Sequence, residues 1–160
     1  MQDLKTVQCV AEVPAPIDAV WEAWTTEGGV VSFFAPAVNL RAEPDGPYEI
    51  LFNPDAPEGT QGAEGMRFLA LQEPTFLSFT WNAPPHLPEV RGQRTWVEIR
   101  LEELDSTSTR VQLLHGGWGT GGQWEEAFDY FVRAWGKVVL PRLVYRFENG
   151  PVDWSNPPAL

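Results

Sequence analysis

The sequence has 160 residues, 43% of them hydrophobic, and a formal net charge of −11. That length suits one domain with its own core, and the hydrophobic share excludes disorder for the bulk of the chain. The acidic balance argues against a nucleic-acid partner or an anionic membrane surface.

Eight Trp and nine Phe make a heavy aromatic load. Such rings either fill a core or line an apolar pocket, and composition does not separate the two. Cys9 is the single cysteine, so no internal disulfide forms. Neither MQDLKTVQCV at the start nor any later run is apolar enough for a signal peptide or a bilayer span. A cytoplasmic location with no membrane partner is expected.

From Leu4 to Val13 the chain alternates, with Val7, Cys9, Ala11 and Val13 on one side, as a half-buried strand does. Pro14 ends it, and Pro16 suits the first turn of a helix carrying Ile17, Val20, Trp21 and Trp24 at helical spacing. Thr26 is placed to cap a second short helix that Ala35-Pro36 stops. Strands are then expected at Val38–Ala42 and Tyr48–Phe52, joined by an Asp45-Gly46 turn, with Tyr48, Ile50 and Phe52 alternating. Residues 53–63 read as a loop and Met66–Leu71 as an apolar strand of ambiguous facing. Leu77, Phe79 and Trp81 alternate, and Ala83–Gly92, with three prolines, reads as a long exposed loop. Thr95, Val97, Ile99 and Leu101 form one inward set, and Val111, Leu113 and His115 the next.

After a glycine-rich link comes the longest helical pattern, Gln123 to about Leu140. Trp124, Ala127, Phe128, Phe131, Trp135 and Val138 share one face. Pro141 is expected to kink or end this helix, with Gly136 weakening it one turn earlier. The reading is a single domain over 1–147 and a Pro-rich tail over 148–160 that packs loosely. Short turns make the strands antiparallel, and the class is α+β.

This order, with AWTTEGGVVSFFAP (Ala23–Pro36), GPYEILF, LSFTWNAP and TRVQLLHGGWG, resembles the START/Bet v 1-like (SRPBCC) superfamily. More closely, it resembles the small bacterial proteins similar to the activator of Hsp90 ATPase. The resemblance implies a helix-grip fold. In it a curved seven-stranded antiparallel sheet wraps a long C-terminal helix, and two short helices follow the first strand. It also implies a cavity for a hydrophobic ligand between sheet and helix. Some distant relatives are aromatase/cyclases, which makes a cyclase- or hydratase-like enzyme the alternative. The family name makes an Hsp90-type chaperone the candidate protein partner.

On this reading the ligand-binding residues are Phe33, Phe34, Trp81, His115, Trp118, Trp124, Phe128 and Phe131. Many apolar walls and few polar groups are the usual make-up of such sites. His115 is either a polar anchor with acid–base capacity or a buried histidine bonded to a carbonyl or water. Gly117 to Gly122 spells G-x-G-x-x-G, but it follows antiparallel strands, so it reads as a joint, and no cofactor is expected. Cys9, His86 and His115 are too few and too scattered for a metal site, so none is expected. Glu64, Arg67 and Tyr130 remain of unresolved facing.

Overall fold

The computed structural model describes residues 5–160. Leu4, where the first alternation begins, lies outside them. Strand β1 spans Val7–Val13, followed by helices α1 (Ile17–Thr25) and α2 (Glu27–Val31). The strands β2 (Ala37–Leu40), β3 (Tyr48–Leu51), β4 (Phe68–Gln72) and β5 (Phe76–Trp81) come next. A short helix α3 (Pro88–Arg91) precedes β6 (Thr95–Asp105) and β7 (Ser108–Gly116). The chain then forms α4 (Trp124–Arg133), a π-helical segment (Ala134–Val139) and α5 (Leu140–Asn149).

The architecture is the expected α+β one, an antiparallel sheet held against a long C-terminal helix. Its strands differ in one respect from a continuous seven-stranded sheet. They form a five-stranded sheet, ordered β1-β7-β6-β5-β4, and a two-stranded β2-β3 ribbon. The ribbon joins β4 through short-range bonds only, such as Tyr48 N–H to Met66 O at 2.9 Å and Phe68 N–H to Gly46 O at 2.9 Å. Pro47, opposite Arg67 in a single bridge, has no N–H to extend that pairing into a ladder.

Alternation decides which side faces the helix. Val97, Ile99, Val111, Leu113 and His115 are fully buried, as period-two patterning requires. Tyr48 and Ile50 face in likewise, and Tyr48 Oη donates to Trp24 O at 2.7 Å, tying β3 to α1. Phe52 is a correction: β3 ends at Leu51, and Phe52 is 43% exposed. Thr26 caps α2 as expected, accepting from Gly29 N–H at 2.9 Å. Trp24 meets Phe33 and Phe34 edge-on at 5.0 and 5.4 Å, so the two short helices bury their rings against each other.

Three other expectations are corrected. Ala83–Gly92 is not an exposed loop, because it contains α3, whose Val90 and N-cap residue Leu87 are buried against Trp124 and Ala127. Of the two outcomes expected at Pro141, an end is excluded and an irregularity is found, since the helix runs on to Asn149 through a π segment that contains Gly136. The π segment absorbs the proline: Leu140 N–H reaches back five residues to Trp135 O, and the widened turn spares the bond and the space that a proline disrupts. The extra residue also turns the helix face. Val139, Leu140 and Leu143 point to the core, whereas Val138 is 37% exposed. The tail does not pack loosely either. Val152 N–H donates to Ser32 O at 2.9 Å, and Trp154 Nε1–H to Val31 O at 2.6 Å.

Candidate functional site

The widened turn borders a cleft lined largely by aromatic and aliphatic side chains. The cleft encloses about 420 Å³ between the long helix, the end of β5 and the loops around residues 52–62 and 82–85. Its apolar walls are Phe52, Trp81, Phe131, Trp135, Val138 and Val139. Phe52 and Val138, the exposed members, flank its opening to solvent. Asn53, Asn82, Tyr130, Arg91 and Arg142 supply the polar groups. The π segment contributes four of the lining residues, Ala134, Trp135, Val138 and Val139.

Arg91 braces the loops that form the other wall. It donates to Ala83 O, to Gly59 O at 2.9 Å and to Gly62 O at 2.9 Å, and stands 3.7 Å from the Glu64 carboxylate. Glu64 accepts from Gly59 N–H and Gln61 N–H at 2.6 Å each. Glu64 is thus a loop-organising group. Arg67 points elsewhere, donating to Asp45 O at 2.8 Å.

The expected site residues are distributed over three places. Trp81 and Phe131 line the cleft. Phe33 and Phe34 are fully buried in the main core, with Phe34 stacked on Trp81 at 5.8 Å. Trp118 and Phe128 pack against each other at 5.5 Å, and Trp118 meets Trp124 at 6.2 Å, where α3 docks on α4. A Cβ at Gly119 would overlap the Trp124 indole, which is why the link needs glycine there. Gly117, Gly121 and Gly122 have φ of 87°, 77° and 54°, so the G-x-G-x-x-G stretch serves as a tight joint.

His115 is fully buried and does not line the cleft. Trp135 stands between them: it lines the cleft, and its indole N–H donates to His115 Nδ1 at 2.9 Å. An indole nitrogen only donates, so Nδ1 accepts, and the neutral ring carries its proton on Nε2. That proton meets Thr95 Oγ1 at 2.7 Å, and Thr95 Oγ1 in turn donates to Trp81 O at 3.4 Å. Trp118 and Phe131 close over the ring at 4.3 and 4.8 Å. Burial pushes the imidazole pKa down to about 3. Both nitrogens are occupied and the ring is neutral at ordinary pH, so it has neither a free lone pair nor a spare proton for a substrate.

Cys9 lies away from the cleft, half-buried, and burial pushes its thiol pKa up, away from the nucleophilic thiolate. Among the described residues no three His, Cys, Asp or Glu side chains gather as metal ligands, and no helix is long and apolar enough to cross a membrane. Sequence patterning missed Phe52, Trp135 and Arg142 as cleft residues, and left open the facing of Tyr130, which lines the cleft. Pro141 after Gly136 was the available signal, since a proline inside an amphipathic helix marks a local irregularity.

The family described as activator of Hsp90 ATPase homolog 1-like protein matches residues 14–148. The chain belongs to that family. Solved structures share the fold. A protein of Nitrosomonas europaea is 20% identical, with 92% of this chain and 97% of that one covered and a TM-score of 0.68. The Aha1 dimer of Colwellia psychrerythraea is 17% identical over 92% of this chain and 98% of that one, with a TM-score of 0.68. An HSP90 activator of Plasmodium falciparum is 13% identical over 93% of this chain and 98% of that one, with a TM-score of 0.65. At these identities the likeness shows the fold. No curated protein matches in sequence.

Proposed function

We propose that this family member binds a small, largely apolar molecule in the cleft between the long helix and the sheet. The observation that carries the reading is the roughly 420 Å³ aromatic cleft bordered by the π segment. Its size lies within the range of small-molecule sites, and few polar groups interrupt its walls. The packed cores elsewhere in the chain have no need of such a space.

The neutral dye N-phenyl-1-naphthylamine tests this. Its emission should rise saturably with one dye per chain and a Kd on the order of 1–100 μM. Val138→Lys places a charge on the cleft wall at a partly exposed position that the fold tolerates. It should weaken binding at least about tenfold, because the long side chain with its hydrated head stands across the opening that the dye must use. Absence of saturable binding, or an unchanged affinity in Val138→Lys, would remove the proposal.

The family description and the Plasmodium relative favour a second reading, contact with an Hsp90-type chaperone. Chaperone ATPase activity measured with and without the purified protein addresses it. No stimulation at high micromolar protein would end that reading. The cyclase- or hydratase-like alternative loses its named residue, since His115 offers the cleft no free nitrogen.

A further inference from the structure

We infer that the molecule held in the cleft carries an anionic group of the carboxylate kind, received by Arg142. This rests on the cleft being a binding site, as proposed above. Two cations line the cleft, Arg91 and Arg142. Arg91 is committed: its Nε and both terminal nitrogens donate to the carbonyls of Gly59, Gly62 and Ala83, and Glu64 lies alongside.

Arg142 has no such commitments. Its Nε is buried and finds no acceptor among the described residues, and no described carboxylate forms an ion pair with it. Arg142 lines the cleft without an acceptor or counter-ion of its own among the described residues, so its terminal nitrogens are left to a partner that enters there. The guanidinium lies over the Trp154 ring at 5.2 Å, and Trp154 is itself held by its bond to Val31 O. This cation–π contact holds the guanidinium in place and uses none of its fork of N–H donors, which stay available to an acceptor. A carboxylate matches that fork with two parallel bonds.

Nearby acids do not compete. Asp153 is engaged by Ser155 through N–H at 3.0 Å and Oγ–H at 2.6 Å, and Glu64 belongs to Arg91. Arg146, one helical turn on, also has a buried Nε without an acceptor, which adds positive charge on this stretch. Burial lowers the Arg142 pKa, yet an arginine stays protonated throughout the usable pH range.

Naphthalene-2-carboxylate and naphthalene-2-carboxamide share one shape and differ in charge. Each is titrated against protein loaded with N-phenyl-1-naphthylamine. The wild-type protein should release the dye at an about tenfold lower concentration of carboxylate than of amide, the size of one charge-assisted bond. Arg142→Gln should abolish that preference while leaving the amide within about twofold, and Arg142→Lys should retain part of it. Dye displacement by both compounds at equal concentration in the wild-type protein overturns this inference alone. So does a preference that survives in Arg142→Gln. A protein that binds no dye at all overturns the site itself, and this inference with it.

Discussion

Trp135→Ala is expected to destabilise the protein by about 5 kcal/mol or more, the largest single effect in the molecule. A tightly packed Trp→Ala costs about 3–5 kcal/mol through lost transfer energy and the cavity left behind. Trp135 is 1% exposed, and its ring contacts Phe34, Trp81 and Phe131. The mutation also strips the donor from His115 Nδ1, and a buried unpaired acceptor adds about 1–3 kcal/mol. Trp124→Ala provides the contrast. Trp124 is 9% exposed and packs in a smaller cluster with Leu87, Val90 and Ala127. Its loss should cost about 2 kcal/mol, below the tight-core range. Urea unfolding of both variants measures the difference, and equal losses would contradict the separation into a main core and a satellite cluster. Trp135→Phe divides the larger effect. It keeps most of the ring and removes the N–H, so about 1–3 kcal/mol should remain as the hydrogen-bond part.

The second expected effect is a loss of about 2 kcal/mol of stability between pH 6.5 and pH 5, carried by His115. Its pKa is about 3 in the folded protein against an ordinary 6.5. The unfolded chain therefore takes up the proton first as the pH falls. Stability is fully present above 6.5 and drains away through the window down to about 3. Each unit of pH in that window removes about 1.4 kcal/mol, and one and a half units remove about 2 kcal/mol. The carboxyls of Glu64, Asp105 and Asp153 are held below their ordinary values, so their contribution is lost only below pH 5, outside the interval from pH 6.5 to pH 5. His115→Gln removes the titrating group and should flatten the profile between pH 6.5 and pH 5, whatever it costs in total stability. A flat profile in the wild-type protein, or the same slope in the variant, would show that protons enter without opening the core. The physical source is plain. His115 is enclosed by Trp118, Phe131 and Trp135 and has no charge near enough to replace lost hydration.

These two residues also show how far the sequence reaches. Period-two alternation placed Val111, Leu113 and His115 on the inward face, and helical spacing placed Phe131 and Trp135 toward the sheet. Both follow from backbone geometry that acts within one element, so they are legible from local order alone. Thr26 as a cap, Asp45-Gly46 as a turn and the glycine joint before α4 are local in the same sense. The arrangement of elements followed from their order and from family resemblance. What one element does to another was not written locally. The π turn at Ala134–Val139 arises because Pro141 must be accommodated while Leu140 and Leu143 are drawn into the core. It moves Val138 outward and Val139 inward. α3 exists because Leu87 and Val90 find Trp124 and Ala127, residues more than thirty positions away. His115 became a buried, doubly bonded ring because Thr95 from β6 and Trp135 from the helix converge on it. Arg142 became a cleft residue because the helix continues past the proline and the tail returns to set Trp154 beneath it. Periodicity assigns a side chain to a face, and only packing between faces decides whether that face closes on a core or stands open as a cleft.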